Sequence, residues 1–297
     1  MAHQHNLSHA GVFKRIKQEI SSLPKNNDLT KKCCSKYSGI LNIDGKYVKV
    51  KGYKKKIPFI YGIDFLSHDP IVCQLALSES KQAYLSILRF LKEIDYPLKV
   101  VVADEIPSLR LALKQVFPGI PVQLCHTHFL ENIRNNLHVR TDPTYRHFFN
   151  SLNKHLFHLP QNKEERVIGF ARIFNKQAKG CAMLETILHN IQDKQQELFT
   201  YQKIAGCPAT NNIIESSNSH LQARLKSIKG FQSFSSAESF LNAYLIKRRT
   251  KPFTDCGHPF KHLNGFCSLQ MTISPNLPWP KILDLSPPKT WNPGPQK

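Results

Sequence analysis

Residues 98–103, Leu-Lys-Val-Val-Val-Ala, most narrowly limit what this chain can fold into. A short, continuous apolar run bounded by helical spacing marks a strand covered on both faces, the central strand of a layered α/β sheet. On its N-terminal side, Ala83, Ile87, Phe90, Leu91 and Ile94 fall on one helical face. On its C-terminal side, Leu109, Leu113 and Val116 do the same, and residues 120–125, IPVQLC, read as another strand. Three further strand signals precede these, at 39–50 (GILNIDGKYVKV), 57–66 (IPFIYGIDFL) and 71–77 (IVCQLAL). They lie close in sequence, which favours an antiparallel meander. The order β-β-β-α-β-α-β predicts a mixed sheet with helices crossing between parallel strands, an α/β architecture.

Beyond residue 128 the strand signals stop, and helical patterns rich in His, Asn, Lys and Gln run to about residue 208, an all-helical insertion. One helix is expected from about Thr210 to Ser227 and another over roughly 235–249. Residues 251–297 include nine of the 19 prolines and both tryptophans, and read as an extended tail wrapped on the surface or partly disordered. At the other end, Ser8 is placed to cap a helix over 7–20 whose Val12, Phe13, Ile16 and Ile20 share a face. Residues 21–38 are polar, contain Pro24 and Asn26-Asn27, and suggest a linker. The expected boundaries are therefore 1–37, 38–128, 129–208, 209–250 and 251–297.

Composition narrows the class of partner. Lys and Arg exceed Asp and Glu by 41 to 21, a formal charge of +20. A chain this basic is suited to a polyanion, nucleic acid foremost. A 41% hydrophobic content excludes wholesale disorder. No run approaches the ~18 apolar residues of a membrane span, and the polar, His-rich start lacks a signal-peptide core. The eight cysteines include no C-x-x-C pair and read as reduced thiols.

Three acids stand out, each with an ordinary structural use. Asp44, followed by Gly45, is either a hairpin residue or a functional carboxylate. Asp104 closes the apolar strand, where it either caps the next helix or sits at the sheet edge at which α/β sites form. Glu215 either completes a capping box with Asn212 or projects from the helix TNNIIESSNSHLQARLKS, in which Asn211, Glu215, Asn218 and Gln222 lie off the apolar stripe. Two Asp on neighbouring strands and a Glu on a packed helix can converge. Clustered carboxylates repel unless cations neutralise them. Mg²⁺ takes oxygen ligands, and a pair of such ions about 4 Å apart can serve both the attacking and the leaving oxygen of a phosphodiester.

The segments LNIDGKYVKVKG, VVADEIPSLRLALKQVFPGIPVQLCHTH and ATNNIIESSNSHLQARLKSIKGF together resemble the DDE transposases of prokaryotic insertion sequences, those related to the Mutator-like group. The resemblance covers roughly residues 38–250. It implies a ribonuclease-H-like catalytic core split by a helical insertion before the Glu-bearing helix. Asp44, Asp104 and Glu215 would then be the catalytic and metal-binding acids, with Mg²⁺ as cofactor and Mn²⁺ able to substitute. It further implies double-stranded DNA as partner, both transposon ends and target, a homo-oligomer on that DNA, and residence in the prokaryotic cytoplasm on the nucleoid. One departure is Glu105, where many members have Gly. Cys125 and His128 fit the family's C-x-x-H signature; two ligands do not make a zinc site, and these residues, like Asn212, are expected in a structural or supporting role.

Two lysine- and arginine-rich stretches flank the acids. The first is Lys46, Lys49, Lys51, Lys54, Lys55 and Lys56; the second is Arg224, Lys226 and Lys229 with Lys247, Arg248, Arg249 and Lys251. Either they are solvated edges that block sheet aggregation, or they hold backbone phosphates. Cys256, His258, His262 and Cys267 have irregular spacing for a zinc finger and are interrupted by Pro259. The helix at 8–20 looks like the recognition helix of a helix-turn-helix without its partner, so the chain reads as a core whose end-recognition module is cut short. The competing readings are a non-catalytic DNA-binding remnant and a ribonuclease-H-like nuclease.

Overall fold

The computed structural model describes residues 8–158 and 163–280. Helix α1 (His9–Ser22) begins as its sequence predicts, with the Ser8 hydroxyl accepting the Gly11 N–H at 3.1 Å. The Phe13 side chain lies outside the described residues. Next come α2 (Asn26–Cys33), β1 (Ile40–Val48), β2 (Ile57–Asp64), β3 (Asp69–Leu75), α3 (Lys81–Glu93), β4 (Val100–Ala103), α4 (Pro107–Val116) and β5 (Val122–Leu124). Helices follow: α5 (His126–Asn136), α6 (Arg146–Leu152), α7 (Lys163–Ile173), α8 (Ala182–Asp193) and α9 (Gln195–Leu198). α10 (Asn212–Ile228), α11 (Phe234–Thr250) and α12 (Ser268–Thr272) complete the order. The fold is mixed α/β, and the five strands take the order β3-β2-β1-β4-β5.

The chain divides into two compact units, each drawn from separate stretches. The first comprises residues 1–99, 107–120 and 212–297. Its β1, β2 and β3 form the antiparallel meander, with Asp44 opposite Tyr61 and Phe59 opposite Leu75. Side chains alternate across a strand, so Asp44, Lys46 and Val48 share a face of β1 with Tyr61, Phe59 and Ile57 of β2. That face carries a core of Val48, Ile57, Phe59, Tyr61 and Ile63, packed with Ile214 and Leu221 of α10 and Leu241 and Leu245 of α11. Burying each such side chain stabilises by about 1.5–3 kcal/mol.

Two segments of this unit differ from their sequence reading. Residues 21–38 contain α2 rather than an uninterrupted linker. Its polarity is used internally: Asn26 takes the Asn242 side chain on its N–H and donates its amide to the Pro70 carbonyl, and Asn27 bonds both N–H and C=O of Cys73. Polar composition reads as linker because sequence alone does not reveal that these amides replace strand and helix partners. The proline-rich C-terminal stretch, expected as a surface tail, buries Leu263, Cys267, Leu269 and Ile273. Residues 281–297 lie outside the described residues.

The second unit comprises residues 100–106 and 121–211. Parallel β4 and β5 pair Val101 with Val122 and Ala103 with Leu124. Its helices bury a separate core that includes Leu124, Phe129, Ile133, Phe148, Leu152, Ile173, Leu188 and Phe199. Gln123 ties β5 to that core, donating to the Leu198 carbonyl at 2.9 Å and accepting the Tyr201 N–H at 2.8 Å.

Candidate active-site residues and their surroundings

In the first unit, Asp44 lies within β1, not in a hairpin turn. Its Oδ1 accepts the neighbouring Gly45 N–H at 2.7 Å, and its Oδ2 accepts the Asn218 side-chain N–H at 2.6 Å. Asn218 is itself aimed by Tyr61, whose hydroxyl donates to the Asn218 Oδ1 at 2.8 Å. Tyr61 is fully buried, and that burial raises its hydroxyl well above the usual tyrosine value, so it stays a neutral donor. Because the hydroxyl claims the amide oxygen, the amide nitrogen must face Asp44. Glu215 stands three residues before Asn218 on α10, one helical turn away on the same face. Asn212 opens α10 and is exposed.

The Asn218 link was not singled out from sequence. Its only signal was that Asn218 lies off the apolar stripe beside Glu215. Tyr61 gave none, since a tyrosine in a strand normally reads as core.

In the second unit, Asp104 directly follows β4. The Cys125 N–H donates to the Ala103 carbonyl at 2.9 Å, which holds the end of β5 beside Asp104. Cys125 is the N-cap residue of α5, and His128 lies one turn into that helix. His128 Nδ1 stands 2.7 Å from Asp104 Oδ1. The hydrogen bond to Asp104, helped by one to Cys125, pushes the imidazole up to about 11 against the opposing effect of burial. The Cys125 sulfur accepts the Asn211 N–H at 3.3 Å. One ligand atom each from Asp104, Cys125 and His128 lies within 4.8 Å of the others, the only such His, Cys, Asp or Glu set among the described residues. Cys256, His258, His262 and Cys267 do not bring three such atoms within that distance. Adjacent His126 is a core residue: its Nε2 meets the Leu198 carbonyl at 2.6 Å, and Phe157, Phe199 and Tyr201 surround its ring. Burial lowers its basicity. Glu105 pairs with Lys194 at 2.7 Å.

The basic residues separate into three situations. Lys49, Lys51, Lys54, Lys55 and Lys56 are exposed on the connection from β1 to β2, and Lys46 is half-buried within β1. The connection after α10 joins them: Phe231 N–H donates to the Lys49 carbonyl and Lys51 N–H to the Phe231 carbonyl, both at 2.8 Å. Lys229 and Gly230 take positive φ there, at 56° and 134°, and a Cβ on Gly230 would stand 3.3 Å from the Lys49 carbonyl oxygen. Lys229 thus emerges beside Lys49 and Lys51, with Arg224 and Lys226 exposed on the last turns of α10. Lys247 and Lys251 are exposed and Arg248 is half-buried.

Arg249 must be removed from the phosphate-binding set. It is fully buried, with Nε and Nη2 on Asp69 at 2.9 and 2.7 Å, Nη1 on Thr30 at 2.8 Å and Nη2 also on Cys34 at 3.2 Å. Burial works against its charge, but Asp69 beside it holds the guanidinium above its ordinary value. A guanidinium enclosed this way has no donor left for a phosphate.

No helix among the described residues is long and apolar enough to cross a membrane. Two curated proteins, each a transposase for insertion sequence element IS256 in transposon Tn4001, from Staphylococcus aureus and Enterococcus faecalis, are 24% identical to the chain over 173 residues. The alignment covers 57% of this chain and 43% of each relative, so the match spans less than half of their length. A chain of a simian T-cell lymphotropic virus intasome complexed with a PP2A regulatory subunit is 13% identical, with 46% of this chain and 47% of that one covered and a TM-score of 0.26. A likeness that low leaves the fold to be argued from the strands themselves. The pattern that defines the Mutator family of transposases matches residues 23–251, well over half of the sequence. The chain belongs to that family.

Proposed function

We propose that this chain is the catalytic core of an insertion-sequence transposase, cleaving DNA at transposon ends and transferring the strand to a target. On this reading the sheet is ribonuclease-H-like, a reading supported by the strand order β3-β2-β1-β4-β5 with an antiparallel meander and a parallel β4–β5 pair. The acids are Asp44, Asp104 and Glu215. The observation that carries the proposal is the Asn218–Asp44 hydrogen bond, which sets the Glu215 face of α10 toward the Asp44 carboxylate. A capping role for Glu215 and a turn role for Asp44 would not require this link.

The donor set suits Mg²⁺ or Mn²⁺. Asp44 is oriented by hydrogen bonds from Gly45 and Asn218, and carboxylate oxygens are the ligands such a hard cation takes. When bound, such ions would lower the cost of forming and expelling a charged oxygen at phosphorus. Gly45 and Asn218 keep Asp44 oriented, Cys125 and His128 position Asp104, and the exposed lysines hold the phosphates of double-stranded DNA. Because transposon ends come in pairs, the working form is a homo-oligomer on DNA, and its place is the prokaryotic cytoplasm, on the nucleoid.

The test is metal-dependent nicking of duplexes carrying the element's own ends, with wild type, Asp44→Asn, Asp104→Asn and Glu215→Gln compared. Cleavage in wild type that is lost in all three variants, with DNA binding retained, is the expected result. DNA binding without cleavage in wild type means a non-catalytic remnant. Cleavage without strand transfer or end preference means a nuclease.

A further inference from the structure

We propose that Asp104, Cys125 and His128 bind a borderline divalent cation, Zn²⁺ or its analogues Co²⁺ and Cd²⁺, at a site separate in chemistry from the Mg²⁺ site but sharing one carboxylate with it. The three side chains offer an oxygen, a sulfur and a nitrogen, all within 4.8 Å of one another. Around one tetrahedral ion, bonds of about 2.0–2.3 Å put neighbouring ligand atoms roughly 3–4 Å apart. Asp104 and His128 are already in contact at 2.7 Å and need only open slightly, while the sulfur closes in.

The backbone fixes two of the three. Asp104 and Cys125 leave the ends of paired strands, with Ala103 opposite Leu124 and the Cys125 N–H bonded to the Ala103 carbonyl. His128 follows three residues later on α5, so its ring comes round to the same side. The sulfur is buried, and the Asn211 N–H donated to it is the kind of outer hydrogen bond that supports a metal-bound thiolate. Side chains of Asp104 and His128 remain 26% and 40% exposed, which leaves an approach and a fourth position for water.

Ligand softness sets the selectivity. A thiolate and an imidazole favour Zn²⁺ and its analogues, whereas Mg²⁺ prefers oxygen alone. Asp104 is therefore claimed by two ions of different taste. On the proposed catalytic reading, zinc held by Cys125 and His128 withdraws Asp104 from the hard-ion site and stops cleavage. The alternative is that Cys125 and His128 only pack and hydrogen-bond around Asp104.

Cobalt distinguishes the two. The full 297-residue chain, stripped with chelator, is titrated with Co²⁺ and its absorption recorded. One equivalent of Co²⁺ is expected to give thiolate-to-cobalt charge-transfer and intense tetrahedral d–d bands. Cys125→Ser should abolish the charge-transfer band, and His128→Ala should weaken binding at least ~10-fold. Circular dichroism confirms that each variant is folded, and Asp104→Asn, at a partly exposed position, gives a second probe if the cysteine variant does not fold. An unchanged charge-transfer band in Cys125→Ser, or none in wild type, overturns the site. In the nicking assay, the ratio of activity with and without micromolar Zn²⁺ should fall in wild type far more than in Cys125→Ser. Equal inhibition of both overturns the sharing of Asp104. If no variant or wild type cleaves DNA, the catalytic reading fails while the cobalt spectra still decide the site.

Discussion

Asn218 illustrates how one amide can decide a carboxylate's direction. It accepts from Tyr61 and donates to Asp44, at 2.8 and 2.6 Å, so its flip state is set by a buried hydroxyl that keeps its proton near neutrality. Replacing Asn218 by Ala should leave Asp44 able to rotate. If Asp44 holds metal as proposed, the metal concentration for half-maximal cleavage is then expected to rise by roughly 10-fold or more, as for other outer partners of metal ligands. Tyr61→Phe should move it in the same direction by less. A titration of cleavage against Mn²⁺ reads both, and unchanged midpoints would mean that Asp44 is held by something else. His68 gives a second residue-scale expectation. It sits between Phe253 and Phe260, with Nε2 buried and lacking a hydrogen-bond partner. Burial, reinforced by the nearby charges of His262 and Arg248, lowers it to about 4. The unfolded imidazole titrates near 6.5, so its contribution to stability is complete above ~6.5 and is lost as pH falls toward 4. The loss is at most ~3 kcal/mol. Denaturant midpoints measured between pH 7 and 4 should fall less steeply in His68→Asn, whose side chain also tolerates the positive φ of 55° at this position.

At the scale of elements, the structure depends on a buried ion pair that joins four of them. Arg249 of α11 meets Asp69 at the start of β3, the Thr30 hydroxyl oxygen of α2 accepts from the same guanidinium, and Ser268 and Thr272 of α12 donate to Asp69 at 2.8 and 2.6 Å. Breaking such a pair from one side leaves a buried charge without its partner and costs about 3–5 kcal/mol. Arg249→Met should lower stability by that order in chemical denaturation, while Lys247→Met, on the exposed side of the same turn, should change it by less than ~0.5 kcal/mol. The contrast shows what sequence could convey. The β-β-β-α-β-α-β order was legible because hydrophobic period switches from two to 3.6 residues and back. Asp44, Asp104 and Glu215 were legible as candidates because acids at a strand interior, a strand end and a helix start break that pattern. Lys247, Arg248 and Arg249 form one run of identical sign, and nothing in the run tells which cation turns inward. That depends on Asp69, 180 residues away. Helix α2 was hidden for the same reason, since Asn26 and Asn27 find their partners on β3 and α11 rather than nearby. The grouping of Asp104 with Cys125 and His128 also needed the parallel register of β4 and β5.

For the whole molecule, the excess of positive charge is arranged as well as large. The backbone junction of Lys49, Val50 and Lys51 with Phe231 brings lysines from two distant stretches to one rim. If that rim holds DNA, log affinity should fall linearly with log salt, and each phosphate contact removed should lessen the slope by about 0.9. Changing Lys49, Lys51 and Lys229 together to Gln is expected to flatten the slope by two to three such steps. Changing Lys114, a solvent-facing lysine of α4, should not. Salt titrations of binding to a fixed duplex measure both, and equal slopes would place the DNA elsewhere.

The Asp69 cluster also orders the chain in time. Its hydrogen-bond donors come from Arg249, Ser268 and Thr272, all far downstream of the strand that carries the carboxylate. During synthesis, β3 leaves the ribosome roughly 200 residues before Thr272 follows, and at 5–20 residues per second that is on the order of 10–40 seconds with its acid still hydrated. A message stopped between codons 250 and 267 yields a product that holds all three candidate acids, Asp44, Asp104 and Glu215, together with Arg249, yet lacks both hydroxyls that complete the Asp69 shell. Such a product has every residue proposed for the chemistry and an unfinished interior, so quality control by proteolysis, rather than loss of the acids, is what would silence it.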